Sequence, residues 1–137
     1  LAVAPINLVR DVVDYAVSVI RRDKIFLGIP NYGYVWRLPY VEGASRAQSI
    51  SNQFAVAIAA QNNAEIQYDE TAQSPFFNFT RGGARYEVWF EDARSIRAKL
   101  ALVPEYGLRG VGYWNLMRPF PQNWLVLNSL YNIERIF

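Results

Sequence analysis

The sequence predicts an α/β fold in which a parallel strand pair is interrupted by a small α+β insertion. Two short apolar runs, "KIFLGI" at 24–29 and "LRGVGYW" at 108–114, each stand beside segments of helical period, the order of βα units in a parallel sheet. Between them lie three more strand-like runs, so a meander interrupts one β-to-α connection. The 137 residues are 52% hydrophobic and 19% charged, a composition that suits one globular core rather than a disordered tail.

The elements follow in order. Residues 7–20 put Leu8, Val12, Tyr15, Ala16 and Val19 at steps of three and four, the expected inner face of a helix that stops at Arg21-Arg22-Asp23. The run 24–29 is closed by Pro30, which cannot donate to a continuing ladder, so a turn is expected at "PNYGY". A second helix is expected over 45–60, with Ile50, Phe54, Ala55, Ile58 and Ala59 on one side. Runs 64–68, 76–80 and 85–90 read as strands, the last two joined by Arg81-Gly82-Gly83-Ala84 as a hairpin. Asp92 or Ser95 can cap a helix running to Leu102, and Gly107 can end it in the left-handed conformation. The strand to Trp114 follows, and a last helix from about Pro121 carries Trp124, Leu125, Leu127, Leu130 and Ile133. Two parallel strands leave apolar sheet edges that a closed set of eight would not, so the chain is expected to be part of a larger unit.

Composition also excludes chemistry. Fourteen basic and twelve acidic residues give a net charge of +2, with no run of like charge to follow a phosphate backbone, so nucleic acid is not an expected partner. No apolar stretch approaches the roughly 20 residues of a membrane-spanning helix, so membrane insertion is not expected. The chain has no cysteine and no histidine, which removes thiol nucleophiles, the Ser-His-Asp triad and the HExxH zinc helix. Neither a metal nor a cofactor is expected. Carboxylates, tyrosines and lysines remain. Asp11 and Asp14 read as a solvated helix face, and Asp69 and Glu70 point opposite ways on an extended backbone. Glu87, Glu91 and Asp92 read as a strand end and a helix cap.

The strand 108–114 poses a sharper question, because it ends on an indole beside an amide. Trp114 is either a core aromatic or a ligand platform, since the carboxyl edge is where parallel α/β folds place their ligands. Asn31-Tyr32-Gly33-Tyr34 leaves the other apolar run at the corresponding edge. There Tyr32 can donate a hydrogen bond and Gly33 permits close approach, or the stretch is a plain turn.

"KIFLGIPNYGYVW", "IQYDETAQSPFFNFT", "YEVWFEDARSIRAKLALVPEYGLRGVGYWNL" and "PFPQNW", in that order and spacing, resemble the carboxyl-terminal half of a glycoside hydrolase family 18 catalytic domain. The bacterial branch associated with peptidoglycan and spore-cortex hydrolysis is the most similar. The resemblance implies a partial (β/α)8 TIM barrel: residues 1–43 and 91–137 carry the last two strands and their helices. Residues 44–90 form the insertion that walls the cleft. It implies a retaining β-N-acetylglucosaminidase for peptidoglycan or chitin-like polymers, and an extracytoplasmic place in the cell wall or spore. Its catalytic DxxDxDxE has no counterpart here, so no catalytic residue is assigned and the chain alone is expected to be inactive. The amino-terminal remainder of the barrel is then the expected partner. Substrate binding falls to Trp114 as the floor beneath the sugar at the cleaved bond, to Asn31 and Tyr32, and to Trp36 as a stacking residue for a neighbouring sugar. Phe76 stands where many relatives carry tyrosine, offering a ring but no hydroxyl. A non-catalytic carbohydrate-binding relative on the same fold is the alternative.

Overall fold

The computed structural model describes residues 1–134. Helix α1 (Ile6–Val19) precedes strand β1 (Phe26–Pro30), and β2 (Tyr32–Leu38) follows with only Asn31 between them. Then come β3 (Gln48–Ser51), α2 (Asn52–Gln61), β4 (Gln67–Asp69), β5 (Ser74–Arg81), β6 (Ala84–Trp89), α3 (Ala93–Tyr106), β7 (Gly110–Trp114) and α4 (Pro121–Leu130). Two sheets result. β1 and β7 pair in parallel from Phe26↔Gly110 to Pro30↔Trp114, and an antiparallel sheet runs in the order β3-β2-β6-β5-β4. The expected α/β architecture is present, as a partial parallel sheet carrying a second sheet between its strands.

The parallel pair has two unlike faces. Leu27, Ile29 and Leu108 join Ile6, Val13, Ile96, Leu100, Leu102, Phe120 and Val126 in a core shared with α1, α3 and α4, and Val111 and Tyr113 pack against it. The alternate residues face the other way, and they are Phe26, Gly28 and Pro30 opposite Gly110, Gly112 and Trp114. Three glycines on that face leave the sheet bare below Trp114. The second core is Val35, Ile50, Phe77, Val88 and Phe90 against Ala55, Ile58 and Ala59 of α2.

Local chemistry explains the boundaries. Gly82 and Gly83 have φ of 55° and 74°, the left-handed pair that closes a tight hairpin with the twist of its strands, and Arg81 pairs with Ala84. Asp92 caps α3 by accepting from Arg94 and Ser95 N–H, while the Ser95 hydroxyl accepts from the Asp92 N–H. Gly107, at φ 67°, ends the helix, which runs past Pro104 to Tyr106 rather than stopping at Leu102.

Three expectations are corrected. The stretch after Pro30 is not a turn: Tyr32–Leu38 is extended and enters the second sheet between β3 and β6, so that sheet begins upstream of residue 44. The helix expected over 45–60 is divided, because Gln48–Ser51 pairs with β2 as an edge strand and the Ser51 hydroxyl caps a helix starting at Asn52. The inner face of α1 is also different. Ile6 and Val13 are buried with Val9 and Val17 beside them, whereas Leu8, Val12, Tyr15 and Val19 form an exposed stripe. The helix is apolar over more than half its circumference, and only one side has a neighbour among the described residues. On α4, Asn123 and Val126 are buried while Trp124, Leu125 and Leu130 are exposed, and Ile133 lies beyond the helix. No helix among the described residues is long and apolar enough to cross a membrane.

Candidate functional site

The carboxyl ends of β1 and β7 lie side by side, and the groups of interest leave from them. Trp114 ends β7 on the bare face, with 71% of its surface exposed, so it packs into no core among the described residues. The peptide between Trp114 and Asn115 is cis.

Asn31 sits between β1 and β2 and is only 6% exposed. Its backbone N–H donates to the Trp114 carbonyl at 3.1 Å. Its side-chain amide donates to the Asn115 carbonyl and, at 3.2 Å, to that of Arg118. The amide nitrogen is therefore engaged with backbone. The contribution of Asn31 is to hold the segment that follows Trp114.

From Asn31 the chain enters β2, whose alternation puts Tyr32, Tyr34 and Trp36 on one face. Their rings meet edge to face at 5.6 and 5.8 Å, and Tyr40 continues the row 5.4 Å from Trp36. Strand register adds Trp89 opposite Tyr34 and Phe76 opposite Trp89, and the last two rings stack at 4.7 Å. The second sheet thus covers one face with α2 and keeps an aromatic face, all partly exposed, on the other. Tyr34 and Trp89 were not singled out from the sequence, although the alternation of Tyr32, Tyr34 and Trp36 is a strand signal once "PNYGY" is not read as a turn.

The polar groups on this face are sparse. Burial, with a hydrogen bond to Tyr34 next, pushes the Tyr32 phenol up from its usual value. Glu87 accepts from the Trp89 indole at 2.6 Å, and the Trp36 indole donates to the Leu1 carbonyl at 2.8 Å. Trp36 is thus engaged along its edge, and Phe76 has one face covered by Trp89. Gly33 points to the opposite side of the sheet, where a side chain would strike the Trp89 carbonyl and Phe90.

Other carboxylates lie on the surface or hold the backbone and neighbouring groups in place. Asp11 and Asp14 are exposed on α1, Asp69 accepts from the Ala72 N–H, and Asp92 caps α3. Glu91 is buried, and the Lys99 ammonium donates to it at 2.9 Å. Among the described residues no group of three or more carboxylates gathers to hold a metal. A cleft of about 620 Å³ between α2 and the starts of α3 and α4 shares no residue with the Trp114 edge. The strand ends therefore bring together an exposed indole, a phenol and an aromatic wall, and the carboxylate described on that wall, Glu87, is engaged by the Trp89 indole.

Comparison with known proteins identifies the family. The family model described as "Glycosyl hydrolases family 18" matches residues 4–118. The cortical fragment-lytic enzyme of Bacillus subtilis (strain 168) is 53% identical over 135 residues, covering 98% of this chain and 31% of that protein. Among solved structures, the spore cortex-lytic enzyme SleL of Bacillus megaterium QM B1551 superposes with a TM-score of 0.91 at 50% identity, over 98% of this chain and 32% of that one. A chitinase from Chromobacterium violaceum ATCC 12472 matches with a TM-score of 0.78 at 32% identity, over 88% of this chain and 37% of its own. The chain thus spans about a third of the length of the relatives it matches. With the family model covering both parallel strands and the whole second sheet, the chain belongs to family 18 of the glycosyl hydrolases.

Proposed function

We propose that these residues form the sugar-contacting floor and wall of a β-N-acetylglucosaminidase acting on peptidoglycan or chitin-like polymers. The observation that carries the reading is Trp114, a large indole held at the end of a strand yet 71% exposed. A flat apolar ring there meets the C–H face of a pyranose and sheds water from the reacting centre. Tyr32 donates to a sugar or acetyl oxygen, and Trp36 and Phe76 line the wall for neighbouring sugars. Asn31 acts behind them by fastening the Trp114 segment.

The mechanism that goes with this family is retaining and substrate-assisted: a carboxylic acid protonates the glycosidic oxygen while the substrate's own N-acetyl oxygen attacks the anomeric carbon. The acid lies outside these 137 residues. The names of the relatives, cortical fragment-lytic enzyme and spore cortex-lytic enzyme, support a cortex peptidoglycan substrate and an extracytoplasmic, spore-associated setting. The chitinase match supports the wider class of N-acetylglucosamine polymers. The amino-terminal remainder of a barrel is the partner that would cover the stripe of Leu8, Val12, Tyr15 and Val19.

The test is stereochemical. A complete polypeptide carrying this segment is given an N-acetylglucosamine oligomer, and the fresh reducing end is followed by proton NMR. The β anomer appearing first supports the reading. An α anomer first refutes the retaining mechanism, and binding without any turnover points to a non-hydrolytic relative.

A further inference from the structure

The segment after Trp114 is held in an unusual way. Leu116 and Met117 at its tip are 72% and 88% exposed, so burial does little to hold it among the described residues. Its path depends on polar ties at its two ends. On one side Asn31 donates to the carbonyls of Trp114, Asn115 and Arg118. On the other, the Arg118 guanidinium reaches across to β3, where one nitrogen donates to the Ser49 hydroxyl at 2.7 Å and to the Ile50 carbonyl at 2.9 Å. The same guanidinium lies 5.9 Å from the centre of the Tyr32 ring.

We propose that Arg118 is a positioning residue that locks the Trp114 segment to the edge strand of the insertion, so that the floor and the wall of the cleft move as one body. The proposal rests on the reading of Trp114 as the sugar floor. The contacts close a circuit from Trp114 through Asn31 to Tyr32, from Tyr32 to Arg118, and from Arg118 to Ser49 and Ile50. Without Arg118 the circuit opens, and at this edge Asn31 and its hydrogen bonds remain as the described link between the insertion and the parallel pair. A single guanidinium nitrogen serves both acceptors while the planar group stays 5.9 Å from the Tyr32 ring, and that planar group is what a lysine ammonium lacks. No carboxylate forms an ion pair with Arg118 among the described residues, so its task here is geometric.

The experiment is a double-mutant cycle in a complete polypeptide carrying this segment, with kcat and KM measured on a chromogenic N-acetylglucosamine disaccharide and folding followed by thermal melting. Arg118→Ala is expected to lower kcat roughly ten- to a hundredfold through misplacement of the floor. In a Trp114→Ala background the further loss is expected to shrink to about twofold or less, because the residue through which Arg118 acts is gone. Arg118→Lys keeps one donor nitrogen but not the planar group beside Tyr32, and is expected to fall between the native protein and Arg118→Ala. Ser49→Ala removes one acceptor and gives a smaller loss in the same direction, and it carries the cycle if Arg118→Ala does not fold. A slow Trp114→Ala enzyme in which Arg118→Ala costs the same factor as in the native background overturns this proposal alone. Normal turnover by folded Trp114→Ala overturns the floor reading, and this proposal with it.

Discussion

Replacing Lys99 by methionine probes the joint between the insertion and the helix layer. Glu91 and Lys99 each expose 1% of their side chains, and the ammonium donates to the carboxylate at 2.9 Å. The Glu91 N–H donates to the Asn52 side-chain oxygen, also at 2.9 Å, so the pair sits where β6 ends, α3 begins and α2 begins. Burial pushes the Glu91 carboxyl up from its usual value, while the Lys99 charge and a hydrogen bond from Ser95 pull it back. Lys99→Met keeps most of the stem and removes the charge, leaving a buried carboxylate without its counter-ion, a change that costs about 3–5 kcal/mol. A glutamate with its folded-state pKa above the unfolded value of 4.5 holds its proton more tightly when folded. Stability is then greatest below 4.5 and falls as pH rises through the window between the two values. Removing Lys99 extends that window upward, so the penalty is expected in full at pH 7 and reduced on acidification towards pH 5. Urea unfolding of a complete polypeptide at the two pH values measures it. The double variant Glu91→Leu/Lys99→Met, with no charge to bury, is expected within about 1 kcal/mol of the native protein or above it. A Lys99→Met penalty below about 1 kcal/mol at pH 7, or one that grows on acidification, refutes the reasoning.

The 137-residue chain alone is expected to hydrolyse no chromogenic N-acetylglucosamine disaccharide, since loss of a general acid costs a factor of about 10² to 10⁴. Turnover above the uncatalysed rate by pure chain contradicts this. The isolated chain is also expected to associate, because the exposed stripe of α1 and the edges of the β1–β7 pair lack cover. A monodisperse, cooperatively melting monomer in sedimentation argues otherwise. Gly33→Ala places a Cβ 2.5 Å from the Trp89 carbonyl oxygen and 2.8 Å from the Phe90 Cβ, and is expected to cost about 1–3 kcal/mol. An unchanged melting temperature shows that the sheet yields there without cost.

Legibility in the sequence followed the range of the interactions. The hairpin at Arg81 to Ala84, the Asp92 cap and the Gly107 stop depend on residues within a few positions of one another, and all three are present. So is the strand ending at Trp114. The buried face of α1 is not legible locally, because two apolar stripes run along that helix and tertiary neighbours alone decide which is covered. β2 was hidden by Pro30 and Gly33, which signal a turn locally but here mark a passage between sheets and a close approach to Trp89. The tie from Arg118 to β3 joins residues 68 and 69 positions apart, and no local pattern announces it. Asn31 stood out for its place at the strand end, but its use of both N–H groups on the Trp114 segment is visible only in three dimensions.

The central claim is that Trp114 meets the sugar, and Trp114→Ala in a complete polypeptide tests it most directly, with Leu100→Ala as the structural control. Both are measured for melting temperature and for initial rate on an N-acetylglucosamine oligomer. Leu100 is fully buried, so its truncation is expected to cost about 2–5 kcal/mol of stability while the folded fraction keeps normal turnover. Trp114 is 71% exposed, so its truncation is expected to change stability little and to remove about 1–3 kcal/mol of sugar stacking, a loss of roughly five- to 150-fold in rate at low substrate. A Trp114→Ala protein that loses stability as Leu100→Ala does, while its folded fraction turns over at the native rate, contradicts the account.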